Sequence, residues 1–181
     1  MDGTRLVAIV EPVAGTASTD SPARSSDDSR TLDRVLASRL DRLGAAMRWG
    51  VGSGDDDASA AAHASLALRD ARERATAFGF ATGDPWRDAL LADLGLVLAA
   101  LLDDLTPRQA QIAGLVLLGG ARQAAVAASL GVSRATVSVA VARGRLPAIA
   151  AARRAIEALL AGRPGAMPGG GAGDVSGPPP R

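Results

Sequence analysis

Apolar residues recur along this chain with two different periods, and the change of period divides it. Near the start, Arg5 to Val10 (RLVAIV) predicts a strand, which Glu11-Pro12 ends because proline cannot extend a ladder. Residues 14–30 are rich in Ser, Asp, Thr and Ala without period and predict a mobile loop. From Thr31 the pattern turns helical, with Leu32, Val35, Leu36, Leu40 and Leu43 on one stripe and Gly44 weakening its end. Met47 to Val51 predicts a second strand leading into a Gly52-Ser53-Gly54 loop and the acidic run Asp55-Asp56-Asp57. An alanine-rich helix follows over Ala58 to Phe78, with Leu66, Leu68, Ala71 and Ala75 inward.

Beyond this point only helices are predicted. Asp84 caps one, Pro85 takes its first position, and Leu90, Leu91, Leu94, Leu98, Leu101 and Leu102 give it a wide apolar face. That face either packs over the following helices or pairs with a second copy, which makes residues 85–102 a candidate homodimer surface. Thr106 and Gln109 form a capping box around Pro107 for a helix through Leu118, packed by Ile112, Leu115, Val116 and Leu118 and stopped by Gly119-Gly120. A last helix starts at Pro147 and runs through Ala161, with Ile149, Ile156, Leu159 and Leu160 inward and Arg153 and Arg154 outward. The expected fold class is α+β, mostly α. A small, reduced α/β region occupies residues 1–83 and a helical bundle residues 84–163; the Gly- and Pro-rich 164–181 is a disordered tail.

Inside the bundle, Arg122 to Arg143 reads as two short helices joined at Gly131. A helix-turn-helix needs a residue that tolerates positive φ between its helices, and glycine supplies it between Leu130 and Val132. Ser133 caps the second helix, which runs from Arg134 to about Arg143. Val126, Ala127, Leu130, Val132, Val137 and Ala140 fall on the inner faces; Ser133, Arg134, Ala135, Ser138, Val139 and Arg143 fall outside. In a complex with DNA, that outer face enters the major groove with its N-terminal residues nearest the bases.

Charge follows the same division. Met1 to Asp104 carries 11 arginines against 17 acids, a net of −6, whereas Leu105 to Arg163 carries 8 arginines against Glu157 alone, a net of +7. The helix-turn-helix therefore lies in the basic half, as phosphate neutralisation and counterion release require. With 0 cysteines, disulfides, thiolate metal sites and a cysteine nucleophile are excluded, which suits a cytoplasmic protein. The first apolar run is too short for a signal peptide, and Ala89 to Leu102 is too short to span a bilayer and is interrupted by Asp93.

The segment AAVAASLGVSRATVSVAVARGR, preceded by LTPRQAQIAGLVLLGG, resembles the helix-turn-helix of LuxR-type regulators and sigma-factor region 4, within the winged-helix-like superfamily. The resemblance implies double-stranded DNA as the partner. Those families usually carry threonine or serine where Arg122 stands, glutamate where Ala125 stands and a polar residue where Val139 stands. The wider layout, a short first strand, RWGVGSG, an alanine-rich helix and LTPRQ, is faintly similar to actinobacterial SatD-like proteins. In that family the N-terminal part is a small α/β domain whose first strand runs into Gly-Asp and a serine. Here Glu11-Pro12 stands in that place, so no site residues carry over.

Other motifs carry less chemistry. Gly50, Gly52 and Gly54 resemble a phosphate loop, but no lysine follows and Asp55 to Asp57 would repel phosphate. The aspartate run fits a solvated loop better than a metal site. His63, the one histidine, has no nucleophile at an interpretable spacing and fits a surface or half-buried position. No cofactor, metal or reaction is implied. The expected function is sequence-specific DNA binding in transcriptional regulation. Arg134 and Ser138 would read base edges, with Ala135 and Val139 beside them, Ser133 would serve as cap and backbone contact, and Arg143 and Arg145 would hold phosphates. Two other functions compete. One is a helical protein-interaction module that uses Val139 and Val141; the other is a nucleotide-binding protein of the SatD-like kind, which needs a continuous sheet in the first 80 residues or so and an acid pair beside a phosphate loop.

Overall fold

Glycine at every second position is a strand signal when another backbone must come close, and Gly50, Gly52 and Gly54 prove to be of that kind. In the computed structural model, which describes residues 4–13, 28–43 and 47–162, strand β2 runs Met47–Gly54 and includes the segment expected to be a loop. It is the middle of a sheet with order β1-β2-β3, where β1 is Arg5–Pro12 and β3 is Phe78–Ala81. β1 lies antiparallel to β2, with Ala8 opposite Val51, and β3 lies parallel to it, with Val51 opposite Phe80. Pro12 does not end β1 early, because β1 is an edge strand and proline at its last position removes no bond the sheet needs.

The helix between β2 and β3, α2 (Asp57–Glu73), lies directly on the glycine face. A Cβ on Gly50 would stand 2.3 Å from Ala64 O, one on Gly52 2.1 Å from Ala64 N, and one on Gly79 2.0 Å from Ala67 O. Ala60, Ala64, Ala67 and Ala71 are buried there, so alanine on the helix and glycine on the strands make one close contact. The phosphate-loop motif is thus a packing device covered by helix backbone. Asp56, inside the aspartate run, caps α2 in a reciprocal box with Ser59. His63 is half-buried, its Nδ1 2.6 Å from the carbonyl of Ser53.

α2 is shorter than the 58–78 expected. It ends at Glu73, Ala75 takes φ 54°, and Phe78 belongs to β3. Ala75 and Leu66 are exposed where an inward position was expected.

The other sheet face carries Leu6, Trp49, Val51, Phe78 and Phe80, which join the helical core. Here lie α1 (Asp28–Asp41), α3 (Pro85–Asp103) and α7 (Leu146–Leu160). The stripe Leu32, Val35, Leu36 and Leu40 of α1 is buried as its spacing requires. Gly95 of α3 admits the Phe80 ring, whose Cε2 would lie 2.9 Å from an added Cβ. Buried Arg39 of α1 donates to Asp103 at the end of α3. The expected 83/84 boundary falls between β3 and α3, and one hydrophobic core runs across it from Leu6 to Leu160. Of the loop expected over 14–30, residues 28–30 instead open α1, while residues 14–27, Gly44 and the tail from residue 163 lie outside the described residues.

Among the described residues no single helix is long and apolar enough to cross a membrane.

Two helix caps make the fold sensitive to acid. The Ser59 and Arg87 backbone N–H groups, helped by side-chain bonds from the same residues, hold the Asp56 and Asp84 carboxyls below the usual aspartate range. Each folded-state value lies below the unfolded one, so the stabilisation is present above the ordinary aspartate range and is lost as pH falls through the lowered value. Replacing both residues with serine, a cap that does not titrate, is expected to flatten the acid limb of urea stability measured against pH.

Candidate nucleic-acid interface

The interface is built from its supporting helix upward. Helix α4 (Pro107–Ala113) starts on the expected capping box: Thr106 Oγ1 accepts from Gln109 N at 3.3 Å, and Thr106 N donates to Gln109 Oε1 at 2.8 Å. It continues as a π-helical turn over Gly114–Leu118, a widening that sequence periodicity does not reveal. Ala121 N then donates to Leu115 O at 3.0 Å and Gly120 takes φ 61°, which ends the helix.

Helix α5 (Gln123–Leu130) begins at Arg122 with no side-chain cap, as expected of arginine there. It ends on Gly131 at φ 64°, ψ 32°, the left-handed conformation glycine takes at little cost. Val132 N closes the end on Ala127 O at 3.0 Å, and Arg108 of α4 reaches over to Leu130 O at 3.2 Å. Ser133 Oγ accepts from Thr136 N at 3.1 Å and starts helix α6 (Arg134–Arg143). The axes of α5 and α6 are bent by 112°, within the range of helix-turn-helix units.

The inner face closes as its spacing requires. Val126, Ala127 and Val137 are buried, while Leu130, Val132 and Ala140 are half-buried against the same core. Ser133, Arg134, Ala135, Ser138, Val139 and Arg143 are all exposed, Val139 at 51%. They share that surface with Thr136, whose hydroxyl lies 2.9 Å from that of Ser133. Thr136 is a polar residue the spacing argument passed over, although its place three residues after the cap marks it. Val141 is half-buried and does not join Val139 in an apolar surface.

Among the described residues, the side chains of Arg122, Arg134, Arg143 and Arg154 are exposed and their guanidinium groups have no hydrogen-bond or ion-pair partner. Unpaired guanidinium groups at the start of α5, on α6 and on α7 can meet anions without breaking an existing contact. Arg145 differs, since it stands 3.7 Å from Asp104 and takes φ 50°, ψ 34° just before α7. Both partners are mostly exposed, so the pair holds it weakly. Arg145→Gly is expected to raise urea stability by up to about 1 kcal/mol, because glycine takes the left-handed conformation without the Cβ penalty.

Arg153 corrects an expectation outright. It does not face outward but donates to Leu117 O of the π turn at 2.9 Å and to Glu157 at 2.8 Å. Its guanidinium also stands 2.7 Å from Asp33 of α1, a charge contact that is not aligned as a hydrogen bond. It is a clasp between helices. Arg154 alone of the two is exposed.

No strand follows Ala81 among the described residues, so α6 leads straight into α7 through Gly144 and Arg145. No protein-family model, curated protein or solved structure matches this chain.

Proposed function

We propose that this chain binds double-stranded DNA through α6 and serves as a transcriptional regulator. The observation that carries the reading is the exposed side of α6: the side chains of Arg134 and Arg143 stand without partners at its two ends and on its two flanks, about half a turn apart, and Ser138 lies between them. A helix of this kind, held across another at 112°, fits the major groove with its N-terminal residues at the base edges. Arg134 and Ser138 read bases, while Arg143 and Arg122 hold phosphates on either side. Ser133, Ala135 and Val139 complete the contact surface, Val139 suiting a thymine methyl group. Arg145 joins the phosphate contacts after leaving Asp104.

One observation favours a second reading, a helical protein-interaction module: Val139 is a large apolar side chain exposed in the middle of the same face. Salt separates the two readings. Fluorescence anisotropy of the full chain against GC-rich genomic duplexes is expected to give an affinity that falls steeply with salt. Absence of binding at low salt by a folded sample would overturn the DNA reading and leave the Val139 surface to a protein.

A further inference from the structure

Of the five large apolar residues that are exposed, four lie on α2 and α3: Leu66 (46%) on α2, and Trp86 (67%), Leu96 (53%) and Val97 (53%) on α3. The wide face expected over residues 85–102 is thus divided. Leu91, Leu98 and Leu102 are buried, whereas Trp86, Ala89, Asp93, Leu96, Val97 and Ala100 form an exposed stripe at helical spacing, about 20 Å long. Asp93 is the one charge in it.

A groove of about 500 Å³ runs between α3 and α2, lined by Leu66 and by the buried Phe80 and Ala81. Its charge is unbalanced. Two arginines line it against four acids, a net of −2, and both arginines are already engaged within α2: Arg74 stands 2.8 Å from Asp70 and Arg69 3.9 Å from Glu73. The uncompensated acids belong to α3. Asp88 accepts from the main-chain N–H and the hydroxyl of Thr82 at 2.7 and 2.8 Å, neutral donors that leave its charge in place. The exposed Asp93 carboxylate has no hydrogen-bond or ion-pair partner among the described residues.

We infer that this groove and stripe dock a cationic amphipathic helix of a partner protein, with its apolar residues on Leu66, Leu96 and Val97 and its lysine or arginine side chains at Asp88 and Asp93. Charge selects that occupant. Covering an unpaired carboxylate in the middle of an apolar contact is costly, so whatever lies over Asp93 must bring a positive charge to it. Trp86, two turns earlier on the stripe, offers an exposed ring to a second cation. The same acids repel the phosphates of nucleic acid and of anionic lipid. A helix laid in a groove is read through apolar anchors at every third or fourth position, the spacing of the stripe itself. This surface shares no residue with the exposed face of α6 and is independent of the DNA reading.

The test uses the full chain and a labelled peptide of about 18 residues, long enough to lie along the stripe, with leucine at every third or fourth position and arginine on the flanks. Anisotropy is expected to show binding, and tryptophan emission to shift to shorter wavelength as Trp86 is covered, because Trp49 is already buried. The same peptide with glutamate in place of arginine is expected to bind at least about 10-fold more weakly. Asp93→Arg and Leu96→Arg alter exposed residues; each is expected to weaken binding of the arginine peptide about 10-fold or more, with an unchanged circular dichroism spectrum. Val139→Arg, on the remaining exposed apolar residue, is expected to leave binding unchanged. Absence of binding, equal binding of the glutamate peptide, binding without an emission shift, or an affinity that survives both substitutions would overturn the inference. So would a wild type at twice the 18.1 kDa chain mass that Leu96→Arg returns to a monomer, which would give the surface to a second copy. The peptide comparison on wild type decides the matter even if a variant fails to fold.

Discussion

Gly52→Ala is expected to cost about 3 kcal/mol of stability, the upper end of what overpacking a core does, and so a large part of the whole. The added methyl would lie 2.1 Å from Ala64 N and 2.3 Å from Ala60 O, both main-chain atoms of α2. No rotamer change relieves such a contact; α2 must lift from the sheet, which would uncover its row of buried alanines. Urea denaturation measures the effect, and two other glycines serve as controls. At Gly54 the nearest atom is Ser59 Oγ at 2.2 Å, which can turn away, and one main-chain atom, Ala60 N, stands at 2.6 Å against 2.1 and 2.3 Å for the two at Gly52, so a smaller but still substantial loss is expected. At Gly114 nothing lies within 4 Å, and alanine is expected to stabilise by about 0.5 kcal/mol. A Gly52→Ala protein as stable as wild type would mean that α2 does not sit on this face.

Removing both arginines of the α6 face is the second large effect expected. Arg134→Ala with Arg143→Ala is expected to weaken DNA binding about 30-fold or more, since a base-reading arginine contributes about 1–3 kcal/mol and the loss of a phosphate contact adds to it. The two substitutions should differ in kind. Arg134 follows the Ser133 cap, where a recognition helix meets bases, so its loss should relax sequence choice. Arg143 lies about 14 Å further along the helix axis and should act evenly on all sequences, lowering the salt slope by about 1. The fold should tolerate both changes, because neither side chain has a partner among the described residues. If the double variant kept the wild-type affinity and salt slope, α6 would not be the DNA-binding helix.

Much of the candidate site was legible in the chain. The Ser133 cap, the Gly131 turn, the bounds of α6 and its exposed face follow from residues within about four positions of one another. The same holds for Asp84 and Pro85 at α3 and for the box of Thr106 and Gln109 at α4. β3 was missed for the opposite reason: Phe78–Ala81 is too short to announce itself and is a strand only because β2 lies beside it. Gly52 and Gly54 read as a loop after a strand that ends beyond Gly50, because glycine alternation says that something comes close but not what does. Arg153 was placed outward because its helix position allows it; Asp33, on a helix distant in sequence, turned it inward.

By itself, then, the sequence determined the α+β class, the capped starts of α3, α4 and α6, the apolar stripes and the separation of an acidic half from a basic one. These depend on backbone preference, capping and charge, which act over a turn of helix or add up over a segment. Only the tertiary structure decided which face of α3 stays open, which arginines are free, and that the glycines carry a helix and leave no room for a phosphate. Those depend on contacts between elements far apart in the chain, and a side chain's role there is set by the atoms that come to lie against it.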